Sequence, residues 1–540
     1  MKFVTMIWMA AGANRLRLSF SMAASTLGVV GVLIMVSTVL DPKAGEGPKI
    51  GSLLLFAAAA LAVVLGNAYG QRLSSSIVEE FLNQTRQRFA DLVRRSDYGR
   101  FEAVGGHSVY DSLTRNSPTL TEAALLALHC LSALGALILG SLFTLFLSPL
   151  VFGVIIGLIG VSFVLTRLAQ RRTGEALTLA NANQLSFFTL FRHLLDGFKE
   201  VKLHRPRGDD LENNFLRPQS ERVRNSQVEA AIQINRNISI NYILFYVMLA
   251  TIAFVLPSFI KEQSVIIQAI YVAVFMLSIV EVLLKSMPTI ARASFALEEL
   301  NNAFASLETA IQDDRESGER SEFETIEANG LVYSYQAPDG ESSFTMGPVS
   351  LDIRKGETLF IVGGNGSGKS TMLKALTRLY EPHAGTLVWD GVPVDASNVM
   401  AYRSLFSAVF SDFHLFDRLY GMGDVPEAKV NDLFDELGIA NKTQYLDGMI
   451  TNTNLSTGQR KRLALAVALL EDRPILVLDE LAADQDPEFR KAFYEVFLPR
   501  WKSEGRTLVV VSHDDRYFHI ADRTIVLEDG RARTSDDAQD

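Results

Sequence analysis

Residues 363–371 read Gly363, Gly364, Asn365, Gly366, Ser367, Gly368, Lys369, Ser370, Thr371. Glycines at this density let successive backbone N–H groups converge on an anion, and a helix starting at the end of the run adds its positive pole. A lysine in this place reaches the β- and γ-phosphates of a nucleoside triphosphate, and the Ser370 hydroxyl joins a Mg²⁺ shell. The acids that complete this chemistry come later, where the apolar run Ile475 to Leu478 ends in Asp479 and Glu480. Asp479 would hold the same Mg²⁺, and Glu480 would orient the attacking water or take its proton. Apolar strands ending in acids are common in α/β folds, so the weight lies in the pairing with the glycine-rich loop. Between the two lie Leu455, Ser456, Thr457, Gly458 and Gln459, followed by a basic, Ala/Leu-rich helical pattern. This stretch offers a hydroxyl and a helix N-terminus to an anion, or else is an ordinary capped helix.

The elements around these residues fit the chemistry. Leu359 to Val362 reads as a strand entering the glycine-rich loop, and a helical pattern follows. That is the strand–loop–helix setting a phosphate loop requires. Strand-like segments at Phe323–Ile326 and Gly330–Tyr335 open the domain, and strands alternate with helices to about residue 532. This predicts an α/β P-loop nucleotide-binding domain over residues 323–540. The polar stretch 312–322 reads as a linker.

The first half is different. A chain of 540 residues exceeds one compact core. The net charge of −10 gives no reason to expect a nucleic-acid partner. The single cysteine, Cys130, excludes an intrachain disulfide framework and reads as a small packing residue. Uncharged runs at 18–40, 50–71, 123–166, 237–260 and 263–280 are long enough to cross a bilayer. A signal peptide competes for the first run, which is longer than an ordinary signal core. The third run is twice a span and divides near Ser148 and Pro149 into a hairpin, giving six spans over residues 1–311. His129 within it reads as a packing or interfacial group rather than a cargo contact, and Glu281 as interfacial at the end of the sixth span. Arg72, Arg167, Arg171 and Arg172 sit in the long connections 72–122 and 167–236. The positive-inside rule therefore puts both termini and these connections in the cytoplasm. Amphipathic patterns at 77–95 and 185–203 read as membrane helices continuing into that compartment.

Together the phosphate loop, the acids at 479–480 and the 455–459 segment resemble the ATP-binding cassette (ABC) family. Six spans followed by one cassette look like an exporter half-transporter. The resemblance implies that 455–459 is the family signature, closing over ATP held by another subunit through Ser456 and Gly458. It implies a γ-phosphate-sensing role for His513 and an adenine-stacking role for Tyr335; Tyr333, one strand repeat earlier, packs inward, or else the two tyrosines exchange roles. Ser411 stands where the family usually has Gln, so a Mg²⁺ or water contact there would be indirect or assisted by Asp412. The segment Ala483, Asp484, Gln485, Asp486 keeps only the last Asp of the family pattern, and Thr457 replaces a Gly. The stretch Leu405–Phe416 and the stretch Phe191–Glu200 are similar to the bacterial cyclic-peptide exporter branch, which includes exporters of peptide siderophores.

One phosphate loop and one signature per chain imply a homodimer, which would bind two ATP and reverse the exposure of a membrane cavity. The expectation is ATP-driven export of a small cyclic or otherwise modified peptide, such as a peptide siderophore, across the bacterial inner membrane. Competing readings are export of lipid or diverse amphipathic compounds, and an ATP-dependent membrane sensor that moves no cargo. ATP turnover without substrate flux would favour the sensor.

Overall fold

The computed structural model describes residues 2–39, 50–309, 311, 322–336 and 342–534. Of the expected linker 312–322, all but Glu322 lies outside the described residues, as does the short connection 41–49. The chain forms two compact units that do not follow chain order. One comprises residues 1–88 and 109–303, the other 89–108 and 304–540.

The first unit is helical. After α1 (Lys2–Ala10) come α2 (Arg15–Val39), α3 (Ile50–Arg95), α4 (Tyr98–Val104), α5 (Gly106–Leu147), α6 (Pro149–Asp196), α7 (Arg217–Ala250) and α8 (Gln263–Glu308), of which α4 belongs to the second unit. Among the described residues, six helical stretches are long and apolar enough to cross a membrane. The chain turns at Ser148 because Pro149 lacks an N–H and starts the next helix at its first position. The fifth span loosens into a wider turn at Thr251–Val255 and ends at Leu256–Ser258, around Pro257. Apolar residues such as Leu33, Ile155, Phe245, Ile252 and Met276 form a buried cluster among the spans.

Where hydrocarbon gives no hydrophobic drive between helices, small and polar residues hold them together. A Cβ on Gly28 would lie 2.8 Å from the Ala59 carbonyl oxygen, and one on Gly66 2.9 Å from the Ser25 nitrogen. Ser25 also donates to Asn67 at 2.7 Å, and Gln71 meets His129 at 2.8 Å. His129 is thus a helix-packing group, and Cys130 is buried.

In the second unit β1 (Thr325–Gln336) and β2 (Ser342–Arg354) pair antiparallel, followed by β3 (Thr358–Val362) and α9 (Lys369–Leu376). Next come β4 (Ala384–Trp389), β5 (Val392–Pro393), β6 (Phe406–Val409), α10 (Thr457–Leu470), β7 (Ile475–Asp479), β8 (Thr507–Val511), β9 (Arg523–Glu528) and β10 (Arg531–Thr534). The two opening segments read separately in the sequence are one strand, β1. Its register slips between Ala328 and Tyr333, where Gly330 takes a positive φ of 62°.

The main sheet has the order β10-β9-β3-β8-β7-β6, parallel except at β10. Both faces are covered, so its central strands are continuously apolar. Leu359, Ile361, Ile475, Val477, Val509 and Val511 enter one core, while Phe360, Val362, Leu476, Leu478, Leu508 and Val510 enter the other. Each such side chain contributes about 1.5–3 kcal/mol by leaving water. This rigid sheet sends β3, β7 and β8 in the same direction, so their carboxyl ends open at one edge, where ligands of open α/β sheets bind.

Candidate functional site

At that edge β3 delivers residues 363–371, β7 delivers Asp479 and Glu480, and β8 delivers His513. The loop needs glycine for measurable reasons. Gly363 has φ 154°, and a Cβ there would sit 2.2 Å from the Leu527 carbonyl oxygen. Gly368 has φ 99°, and its Cβ would press on the Phe344 ring at 3.1 Å. Gly364, Asn365 and Gly366 are exposed, leaving their backbone open to a ligand.

Lys369 is buried, and its ammonium folds back to donate to the carbonyls of Gly363 at 3.1 Å and Gly364 at 2.9 Å. Burial pushes its pKa below the ordinary lysine value, against the opposing pull of Glu480 and Asp479. Ser370 Oγ donates to Asp479 Oδ2 at 2.8 Å, so the two expected Mg²⁺ residues are already together. The other carboxylate oxygen, Asp479 Oδ1, is buried with no hydrogen-bond partner among the described residues, and so is Ser367 Oγ. A buried carboxylate oxygen left unpaired is costly, and a cation would relieve it. The donor set therefore fits Mg²⁺.

Glu480 holds a left-handed backbone, φ 51°, unusual for a side chain of its size. Its Oε1 meets His513 Nε2 at 2.8 Å and lies 3.9 Å from Lys369 Nζ. A cavity of about 540 Å³ is walled by Tyr335, Phe344, Lys369, Ser370, Thr371 and Glu480. Tyr335 stands at its margin, its hydroxyl within 3.2 Å of both Thr371 and Tyr380. Tyr333 is instead stacked between Tyr380 at 4.3 Å and His383 at 5.1 Å.

Ser411 joins the cluster through its backbone, not its hydroxyl: its N–H donates to Asp479 Oδ2 at 3.3 Å. Asp412, expected to assist it, is turned away and pairs with Lys374 at 3.0 Å. Residues 455–459 are absent from the walls of the 540 Å³ cavity. They cap α10 instead: Ser456 and Gln459 exchange side-chain and backbone hydrogen bonds in a capping box. Gly458 packs so closely that a Cβ would lie 2.7 Å from the Asp484 carbonyl oxygen.

Residues 346–483 match the family model described as ABC transporter. The ATP-binding protein SyrD of Pseudomonas syringae pv. syringae is 33% identical over 446 residues, covering 79% of this chain and 78% of SyrD. The chain belongs to the ABC transporter family. This ABC transporter also resembles the ATP-dependent lipid A-core flippase of Alkalilimnicola ehrlichii, 30% identical over 303 residues, 52% of the chain and 50% of the flippase. A flippase of the same description from Neisseria meningitidis serogroup B is 38% identical over 197 residues, 34% of the chain and 31% of the flippase. The chain thus spans half or less of these two flippases. A solved structure of a bacterial Atm1-family ABC exporter with ATP bound shares the fold, with a TM-score of 0.74 over 97% of this chain and 94% of that one, at 17% identity. The protein is an ATP-driven ABC exporter half-transporter, a multi-pass membrane chain that couples ATP hydrolysis to transport.

Several side chains of this ABC transporter that hold the site together were not singled out from the sequence. Lys461 Nζ donates to the Glu480 carbonyl at 2.8 Å and pairs with Asp484 at 2.7 Å. Buried Gln485 donates to the Gly458 carbonyl at 3.1 Å and accepts from Arg462 at 2.8 Å. Arg462 pairs in turn with Asp486. The segment 483–486 is therefore strapped to α10 of its own chain. The basic start of α10 was the available signal, though its partners are distant in sequence. His513 sits by a cavity of about 310 Å³ that Arg490, Tyr494 and Asp514 also line. Tyr494 and Ser512, hydrogen-bonded at 2.7 Å, brace the strand end that carries it.

Proposed function

We propose that this exporter moves a small cyclic or otherwise modified peptide, such as a peptide siderophore, out of the cytoplasm across the bacterial inner membrane, as a homodimer with both termini cytoplasmic. The cargo reading is carried by the stretch Leu405–Phe416, whose pattern is similar to the cyclic-peptide exporter branch. The likeness to SyrD supports it, because a match of 446 residues is longer than the cassette and takes in much of the membrane half. The likeness to lipid A-core flippases favours a second reading, lipid export, over a smaller share of the chain.

In this reading residues 1–311 form the membrane domain, 312–322 the linker and 323–540 the cassette. ATP lies on the loop 363–371, with Lys369 on its β- and γ-phosphates and Tyr335 against adenine. Ser370 and Asp479 would hold Mg²⁺, which neutralises phosphate charge when bound. Glu480 orients the attacking water and draws its proton, and His513 holds Glu480 in place and meets the γ-phosphate. The backbone of Ser411 steadies Asp479. Leu455 to Gln459 of a second chain close the site, a reading supported by the exposure of Ser456 and Thr457 at the start of α10.

Purified protein in vesicles, offered cyclic peptides, peptide siderophores and lipids in parallel, tests the cargo. ATP-dependent accumulation of a peptide and not of lipid is the expected result. Movement of lipid alone would replace the first reading with the second.

A further inference from the structure

Arg15 and Arg17 open α2, and the first is used within the fold: its Nε donates to the Trp8 carbonyl at 2.9 Å. Arg17 has no hydrogen bond or ion pair among the described residues, and neither has Arg72 on α3. Both stand where hydrocarbon ends. The uncharged run 18–40 begins directly after Arg17, and the run 50–71 ends directly before Arg72. The two helices run antiparallel, with Ser25 meeting Asn67 and Gly28 closing on Ala59 and Val63. Followed toward the arginines, that pairing brings Arg17 level with the turn 72–75. Two free cations therefore share one membrane face.

At this end α2 and α3 leave a groove of about 650 Å³, inside the range of about 300–1,000 Å³ usual for small-molecule sites. Its lining includes Arg17, Phe20, Ala24, Ala62, Leu65 and Tyr69. The room follows from side-chain size: the helices touch at Gly66, and the alanines fill little of the space beside Phe20 and Leu65. The Ser21 hydroxyl turns back to the Leu18 carbonyl at 2.9 Å, which leaves the Arg17 guanidinium and the Tyr69 hydroxyl as the open polar groups. A tyrosine at a bilayer boundary keeps its ring in the apolar layer and its hydroxyl at the headgroups. No carboxylate answers the cations. Neither α1 nor α2 contains an acid, and the first acids on α3 are Glu79 and Glu80, two turns past Arg72. Glu79 pairs with Arg86 at 3.9 Å, and Glu80 accepts from Gln84 at 2.8 Å.

We infer that this groove holds a resident anionic phospholipid, one acyl chain lying along Phe20, Ala24, Ala62 and Leu65 and the phosphate resting on Arg17. Arg72 and the Tyr69 hydroxyl complete the headgroup site. A groove on the exposed side of two spans fills from the bilayer, so its occupant carries a hydrocarbon chain. A guanidinium matches a phosphate in fork geometry. Two cations without a carboxylate favour a headgroup of net negative charge over a zwitterionic one. The lipid is a fixed companion of the membrane domain, separate from the ATP site and from the cargo.

The test uses the full chain in phosphatidylcholine vesicles. Trp8→Phe and Leu65→Trp put the one tryptophan of the membrane half in the groove, since Trp389 and Trp501 are buried in the cassette. Phosphatidylglycerol with brominated chains, which quench a touching indole, is titrated in, and brominated phosphatidylcholine is titrated in parallel. Phosphatidylglycerol should be preferred at least about fivefold. Arg17→Gln with Arg72→Gln should bring the two lipids within about 1.5-fold, while Arg17→Lys should keep most of the preference. Both arginines are exposed and unpartnered, so the fold is not at stake. Ile138→Trp in place of Leu65→Trp, exposed on α5 and outside the groove wall, should report no preference. With Glu480→Gln added, the preference should be the same with and without Mg²⁺ and ATP; its loss on adding nucleotide would make the lipid cargo and overturn the resident assignment. Equal quenching by the two lipids, a preference that survives removal of both arginines, or no quenching because a second chain covers the groove would each overturn the inference.

Discussion

Two corners of the cassette are built on opposite principles. The phosphate-loop corner leaves polar atoms unpaired: Asp479 Oδ1 and Ser367 Oγ are buried without partners among the described residues, and Glu480 keeps a left-handed backbone. The corner at the start of α10 is internally satisfied. Ser456 and Gln459 cap each other, Gln485 bridges Gly458 and Arg462, and Lys461 holds both Asp484 and the Glu480 carbonyl. The first corner leaves polar atoms open to a ligand, and the second pairs its polar groups within the chain. Lys461 joins them, pairing with Asp484 and donating to the Glu480 carbonyl.

The contrast can be broken at its receptive corner first. Lys369→Ala removes the buried cation facing Glu480, and ATP turnover should fall by about 10³-fold or more in a phosphate-release assay, with the fold kept. Glu480→Gln should lower kcat by about 10²–10⁴-fold while a fluorescent ATP analogue still binds, and transport into vesicles should stop. Pumping at the parental rate would remove Glu480 from the hydrolytic role.

The satisfied corner should give smaller and different effects. Lys461→Met leaves the Glu480 carbonyl and Asp484 without their cation, and turnover should drop by about tenfold with little change in ATP affinity. Equal loss of ATP affinity would mean that Lys461 serves binding rather than positioning. Ser456→Ala removes the cap as well as a hydroxyl offered to a second chain's ATP, and thermal unfolding of the nucleotide-free protein should report a loss of about 1 kcal/mol. Unchanged stability would mean that the capping box contributes nothing in solution.

What the sequence revealed follows the range of the interactions. The loop 363–371, the strand before it and the acids at 479–480 are local patterns, so strand, loop and helix were legible residue by residue. The hairpin at Ser148 and Pro149 was legible because proline acts on its own backbone. The merging of two segments into β1 was hidden by the slip at Gly330, which interrupts the alternation without ending the strand. Lys374 and Lys461 read as ordinary helix lysines, since their partners lie far off in the chain or across the fold. The placement of residues 89–108 with the cassette was equally invisible, because nothing in the amphipathic pattern of α3 and α4 says which core receives it.

The sharpest test of the pairing of a receptive corner with a presented one mixes two defective chains. Lys369→Ala disables the phosphate loop of one chain, and Ser456→Arg places a bulky cation at the signature of the other. Each variant alone should be inactive. If each ATP is shared between two chains, the purified mixed dimer keeps an intact pair, the loop of the second chain with the signature of the first, and hydrolysis returns. A mixed dimer as inactive as its parents would contradict the shared site.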